Sequence, residues 1–137
     1  MDGEVTPGHS FRRVPLFRPD EMTTDKPPPE RSFVACPVEC GAYAFALEVD
    51  SPAMMSDSRP NIPPGAIVIV DPDRSAESGA IVCVRLAPGE TPVLRQYVVE
   101  GGRAYLVARN PSWPERIMPF PGSASILGRV VFFGESI

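Results

Sequence analysis

The sequence predicts a compact, mainly β domain behind an extended N-terminal arm, on three observations. Proline is abundant, at 18 of 137 residues, against a usual share of about 5%. The apolar stretches are short, and they alternate or run continuously instead of recurring at helical spacing. Proline and glycine turn signals separate them at close intervals, leaving no stretch suited to a long amphipathic helix.

Residues 1–32 read as the arm and 33–137 as the β domain. Six prolines fall within the first 29 residues, and "TTDKPPPE" is too proline-rich for a helix or a central strand. Only "RRVPLF" is apolar enough there to dock on another surface. From Phe33 onward the pattern is that of strands. In "AYAFALEV", Tyr43, Phe45, Leu47 and Val49 share one face by strict alternation, with Ala44, Ala46 and Glu48 on the other. "PPG" at 63–65 has its proline and glycine where a type II turn wants them. It launches "AIVIVD", a continuous apolar run suited to a strand buried on both faces.

The polar loop "PDRSAESG" then leads into "AIVCVRL", and the turn "APGE" into "PVLRQYVV". Gly101 and Gly102 give a two-residue hairpin signal before "RAYLVAR". A short "RIMPF" follows "NPSWPE", and the chain closes with "ASILGRVVFFGES". Six to eight strands without an internal repeat make either a small barrel or a folded-over pair of sheets.

The length is that of one domain able to bury a single core. Net charge is -4, with no Lys or Arg cluster beyond Arg12-Arg13. That balance lacks the basic footprint needed to neutralise phosphates, so this chain is not expected to bind nucleic acid directly. A DNA-bound partner remains compatible with it. No apolar run reaches membrane-spanning length, and "MDGEVTPGHSFRR" lacks the apolar segment of a signal peptide. A cytoplasmic protein with no membrane association is expected. Cys36, Cys40 and Cys83, with a single histidine, His9, far off in the arm, do not supply a metal ligand set. No metal and no cofactor are expected, and Cys83 reads as a buried small hydrophobe.

Taken in order, the pieces resemble the LexA-type self-cleaving domain, the serine-lysine (S24) peptidase fold of LexA, the lambdoid phage repressors and UmuD. "AFALEV" and the loop after it are similar to the family's strand leading into Gly-(Asp/Asn)-Ser-Met. "PPGAIVIVDPD" resembles its Asp-Gly-Asp-hydrophobic-Val-Asp strand, and "GAIVCVRL" its Gly-Asp-Ile-Val strand. "YLVARNPSWP" resembles its Leu-x-Pro-x-Asn-x-x-Tyr-Pro segment, and "ILGRVVFF" its closing strand. The resemblance runs from about Val14 to the end of the chain, and it implies a signal-peptidase-like β fold.

In that family a loop serine attacks a peptide bond, and a lysine kept neutral by burial takes the serine's proton. Carried over residue by residue, Gly-Asp-Ser-Met falls on Ser51, Pro52, Ala53 and Met54. Ala53, at the nucleophile position, has no proton to give and no oxygen to attack with. The lysine position falls on Arg95 in "VLRQY". Arginine stays protonated in proteins and cannot act as the neutral base. The chain's one lysine, Lys26, lies in the arm.

Ala53 admits two readings, a natural loss or a serine replaced by design. Arg95, Pro52 and the absent loop glycine at Ser51 favour the first. So does the arm: after "VPLF" at 14–17, "RPDEMTT" contains no Ala-Gly or Cys-Gly scissile pair. The Cys-Gly at 40–41 sits too near the first core strand to reach the site as a loop.

Other candidates have plainer readings. Ser51 stands two residues early for a displaced nucleophile, and Ser56 and Ser58 read as turn hydroxyls. Arg95 can pair with Glu48 or Asp50 and seal the old site. Met54 and Met55 read as core and loop packing, and Trp113 as an anchor for an irregular loop. In the resembled family the closing strand lies at the dimer interface. Val130, Val131, Phe132 and Phe133 are therefore the expected partner surface, because adjacent aromatics on a strand point to opposite faces.

A homodimer is thus expected. Possible hetero-partners are an intact LexA- or phage-repressor-type protein or a translesion polymerase. The leading reading is a non-catalytic dimerisation module that modulates a repressor or an SOS or prophage response. The alternatives are a self-cleaving peptidase inactivated at position 53 and a UmuD-like polymerase-accessory subunit. No helix-turn-helix pattern is present. Either a DNA-binding half lies upstream of Met1, or the protein works through other proteins alone.

Overall fold

The computed structural model describes residues 12–23 and 31–135. In chain order its strands are β1 (Arg12–Phe17), β2 (Phe33–Cys36), β3 (Phe45–Glu48), β4 (Ala66–Asp71) and β5 (Ile81–Arg85). They continue with β6 (Val93–Glu100), β7 (Arg103–Val107), β8 (Ile117–Pro119) and β9 (Ser125–Glu135). The fold is mainly β, as the sequence predicts. The strands join in one mixed sheet of order β2-β1-β3-β4-β9-β5-β6-β7-β8. Two short 3-10 turns, Pro19–Thr23 and Pro52–Met54, complete the described elements. His9, Lys26 and most of "TTDKPPPE" lie outside the described residues.

The "RRVPLF" segment, read from sequence as a docking piece of the arm, is β1 itself. It pairs antiparallel with β2 and parallel with β3, through Leu16 opposite Ala46 and Phe17 opposite Leu47. Leu16 and Phe17 reach opposite faces, each covered by a different apolar cluster. The other described pairings are antiparallel.

The continuous apolar run of β4 is explained by burial on both faces. Val68 and Val70 join one core cluster with Phe45, Leu47, Val49 and Leu94. Ile69 joins another with Val14, Cys36 and Ala46. Tyr43, expected to share the face of Phe45, instead stands 77% exposed in the turn before β3. The alternation therefore holds only from Phe45 onward, where ladder pairing fixes the strand.

β9 bridges the two halves of the sheet, with β4 on one side and β5 on the other. Its register slips by one residue against each neighbour, which leaves Leu127 and Val131 as bulge residues. Gly128 sits where these strands crowd: a Cβ there would lie 2.7 Å from Val70 Cγ1 and 2.9 Å from the Asp71 carbonyl carbon. Only glycine fits that crossing.

Buried Asp71, at the end of β4, accepts hydrogen bonds from the Gly41 and Asp73 N–H groups, each at 2.9 Å. Arg12 donates to the carbonyls of Cys40, Gly41 and Ala42. The Cys40-Gly41 pair is thereby fixed in a turn clamped between β1 and β4.

Candidate functional site at Ala53 and Arg95

The loop after β3 folds into the 3-10 turn Pro52–Met54 for local reasons. Ser51 is its N-cap, in extended conformation (φ -128, ψ 144), with proline at the first helical positions. The Ser51 Oγ accepts from the Ala53 N–H at 3.2 Å. That places Ser51 as a capping residue, not a side chain presented for attack. Ala53 and Met54 are buried, so the Ala53 methyl is turned inward.

Two later residues lock this turn. The Asn110 N–H donates to the Ala53 carbonyl at 2.9 Å, and its Nδ2 donates to the Pro52 carbonyl at 3.0 Å. Arg109 ties down the polar loop that follows, donating to the carbonyl of Pro60 (2.9 Å), the carbonyl of Arg59 (3.1 Å) and Ser58 Oγ (3.0 Å). Ser56 and Ser58 are turn residues within that loop, as the sequence suggests: Ser56 Oγ accepts from the Ser58 N–H at 3.1 Å. Sequence reasoning passed over Asn110 and Arg109. Their position at the head of "RNPSWP", in a segment matched to a family motif, was the available signal.

Arg95 lies on β6, opposite Val82 of β5. It and Ala53 line one cavity of about 30 Å³, walled by Leu47, Val49 and Met54 and by Pro19 of the first 3-10 turn. The two positions that the sequence singled out are thus brought together. Arg95 is 9% exposed. One of its nitrogens donates to the neighbouring Leu94 carbonyl at 2.7 Å. Its guanidinium carbon lies 5.4 Å from the centre of the Trp113 ring, within cation–π range. Burial pushes its pKa down from the usual arginine value, but the guanidinium stays a cation near neutral pH.

The carboxylate pairing considered for Arg95 is not formed. Among the described residues neither Glu48 nor Asp50 makes an ion pair with it. Asp50 lines the same cavity but is exposed. Trp113 therefore does more than anchor a loop, since its ring faces a buried charge. Chemically the cavity brings together the Ala53 methyl, the Arg95 guanidinium, Ser51, the exposed Asp50 and apolar walls.

On β9, Val130 packs against the core cluster of Val68 and Val70, and Val131 against that of Ile69. Phe132 pairs with Ile69 and Phe133 with Val68, so the two rings lie on opposite faces. They are 39% and 40% exposed. Among the described residues no helix is long and apolar enough to cross a membrane.

Comparison with known proteins shows the family of the chain. The family model described as Peptidase S24-like matches residues 19–131. The prophage repressor CohE of Escherichia coli is 35% identical over 101 residues, covering 73% of this chain and 43% of CohE. An HTH-type transcriptional regulator for the conjugative element SXT, from Vibrio cholerae, is 36% identical over 87 residues, covering 63% of this chain and 40% of that protein. Repressor protein C2 of Salmonella phage P22 is 30% identical over 94 residues, 69% of this chain and 43% of the repressor. The chain spans about two-fifths of the length of these relatives. With the family model covering most of the sequence and the fold and site geometry alongside it, this chain belongs to the S24-like peptidase family.

Proposed function

We propose that this chain is a non-catalytic S24-type module that associates with protein partners, in the service of transcriptional repression of the prophage or mobile-element kind. One observation carries the non-catalytic part: Ala53 and Arg95 meet at a single cavity, at the positions where the family resemblance puts serine and lysine. A methyl cannot be deprotonated, and a guanidinium cannot take a proton. The regulatory part is supported by the names of the relatives, which are a prophage repressor, a phage repressor and a regulator of a conjugative element.

Self-association through β9 is the mode we favour. Phe132 and Phe133 expose apolar surface on both faces of a strand whose neighbours, Val130 and Val131, anchor it in the core. Sedimentation velocity across a micromolar concentration series tests this. The wild-type chain is expected to sediment as a dimer, and Phe132→Ser with Phe133→Ser as a folded monomer. A wild-type monomer throughout the series would contradict the association mode. An unchanged dimer in the double variant would remove β9 from it.

A further inference from the structure

We propose that Arg95 and the cavity it lines form a receptor for a carboxylate group carried on a peptide segment. This rests on the non-catalytic reading above and gives the disused site a ligand.

Arg95 is more than nine-tenths buried and lines the cavity. Among the described residues it has no carboxylate partner; its polar contacts are its neighbour's carbonyl and the Trp113 ring. A buried charge is costly unless paired, because the apolar surroundings cannot replace hydration. Water in the cavity can satisfy N–H donors, but it supplies no counter-charge. A carboxylate supplies both, because its two oxygens match the guanidinium fork.

The size and lining of the cavity agree. About 30 Å³ leaves room for a water or two, or one small planar group. Ala53 presents a methyl, so no side chain at that position fills the space or competes for the guanidinium. Leu47, Val49 and Met54 make the surroundings apolar, which strengthens an ionic hydrogen bond. Ser51 also lines the cavity, and its hydroxyl oxygen, which accepts from the Ala53 N–H, leaves the hydroxyl proton free to donate. Asp50 at the same cavity is the one opposing group, a like charge for an incoming anion.

Either a peptide C-terminus or a glutamate side chain can carry the carboxylate, and the test separates them. NMR of the Arg95 Nε–H, the Trp113 indole N–H and the Ala53 amide would follow titration with sodium acetate, against sodium chloride at equal ionic strength. Acetate is expected to shift all three saturably, while chloride leaves them in place. Asp50→Asn should tighten acetate binding, and Arg95→Met should abolish it while keeping the dispersed sheet amides of a folded domain. Next come an N-acetylated alanine tripeptide with a free or an amidated C-terminus, and N-acetyl-glutamate N-methylamide. A C-terminal receptor binds the free acid about tenfold or more tighter than its amide, the size expected of a charge-assisted bond. A side-chain receptor gives that preference to the glutamate probe.

Equal responses to acetate and chloride would overturn the receptor, as would undiminished binding by folded Arg95→Met. Neither result touches the non-catalytic reading. That reading fails instead if Ala53→Ser cleaves itself, which leaves an acetate-specific shift in the wild-type chain standing.

Discussion

The backbone N–H of Asn110 donates to the carbonyl of Ala53 at 2.9 Å, tying the 3-10 turn after β3 to the segment that carries Trp113. Trp113 in turn faces Arg95. Ala53 and Arg95 line the same cavity, and the segment of Asn110 and Trp113 touches both of them. Each of the two is held by a residue distant in sequence.

Asn110→Ala should destabilise the domain by about 1–2 kcal/mol, because it leaves the Pro52 carbonyl without its side-chain donor and Ser112 without its acceptor. Urea denaturation gives the value. A change within error would show that the 3-10 turn is held by its own cap and backbone bonds alone.

Replacing Arg95 with lysine should yield an amine whose pKa lies well below the ordinary lysine value of about 10.4. Desolvation is the sole cause of the downward shift at Arg95, and it acts on any cation placed there. Titration of the lysine side-chain resonances by NMR reads this directly in Arg95→Lys. An ordinary pKa would mean that water enters the site freely.

Cys83 makes a separate prediction about alkaline stability. Burial pushes its thiol pKa from 9.0 up to about 12. Below pH 9.0 the thiol is protonated in both folded and unfolded chains, so it contributes no pH dependence. As pH rises from there towards 12, the unfolded chain ionises and the folded one does not, so stability is lost. Relative to Cys83→Ala, the wild type should lose about 1.4 kcal/mol per pH unit in that window. Parallel curves for the two proteins would contradict it.

The parts of this molecule legible in the sequence were those written in local pattern. The β4 run and the strand of Arg95 could be placed because turn residues and apolar runs mark them, while Ala53 and Arg95 themselves were singled out by the family resemblance. β1 was harder to read as a strand, since Pro15 and the Arg12-Arg13 pair resemble arm sequence and its pairing partners arrive much later in the chain. Tyr43 fitted the alternation yet fell outside the strand, because periodicity does not mark where ladder bonds begin. Asn110, Arg109 and the facing of Trp113 with Arg95 depend on contacts between segments far apart in sequence. No spacing rule reveals those.

In the proposed reading Ala53 and Arg95 each remove one half of a serine–lysine pair, so restoring one half does not restore cleavage. The direct test is intact-mass analysis of Ala53→Ser after prolonged incubation at neutral and mildly alkaline pH. A single species of full mass is expected, because Arg95 at the same cavity remains protonated and cannot serve as a base. Appearance of two complementary fragments would show that the site still holds a working base, and would contradict the account.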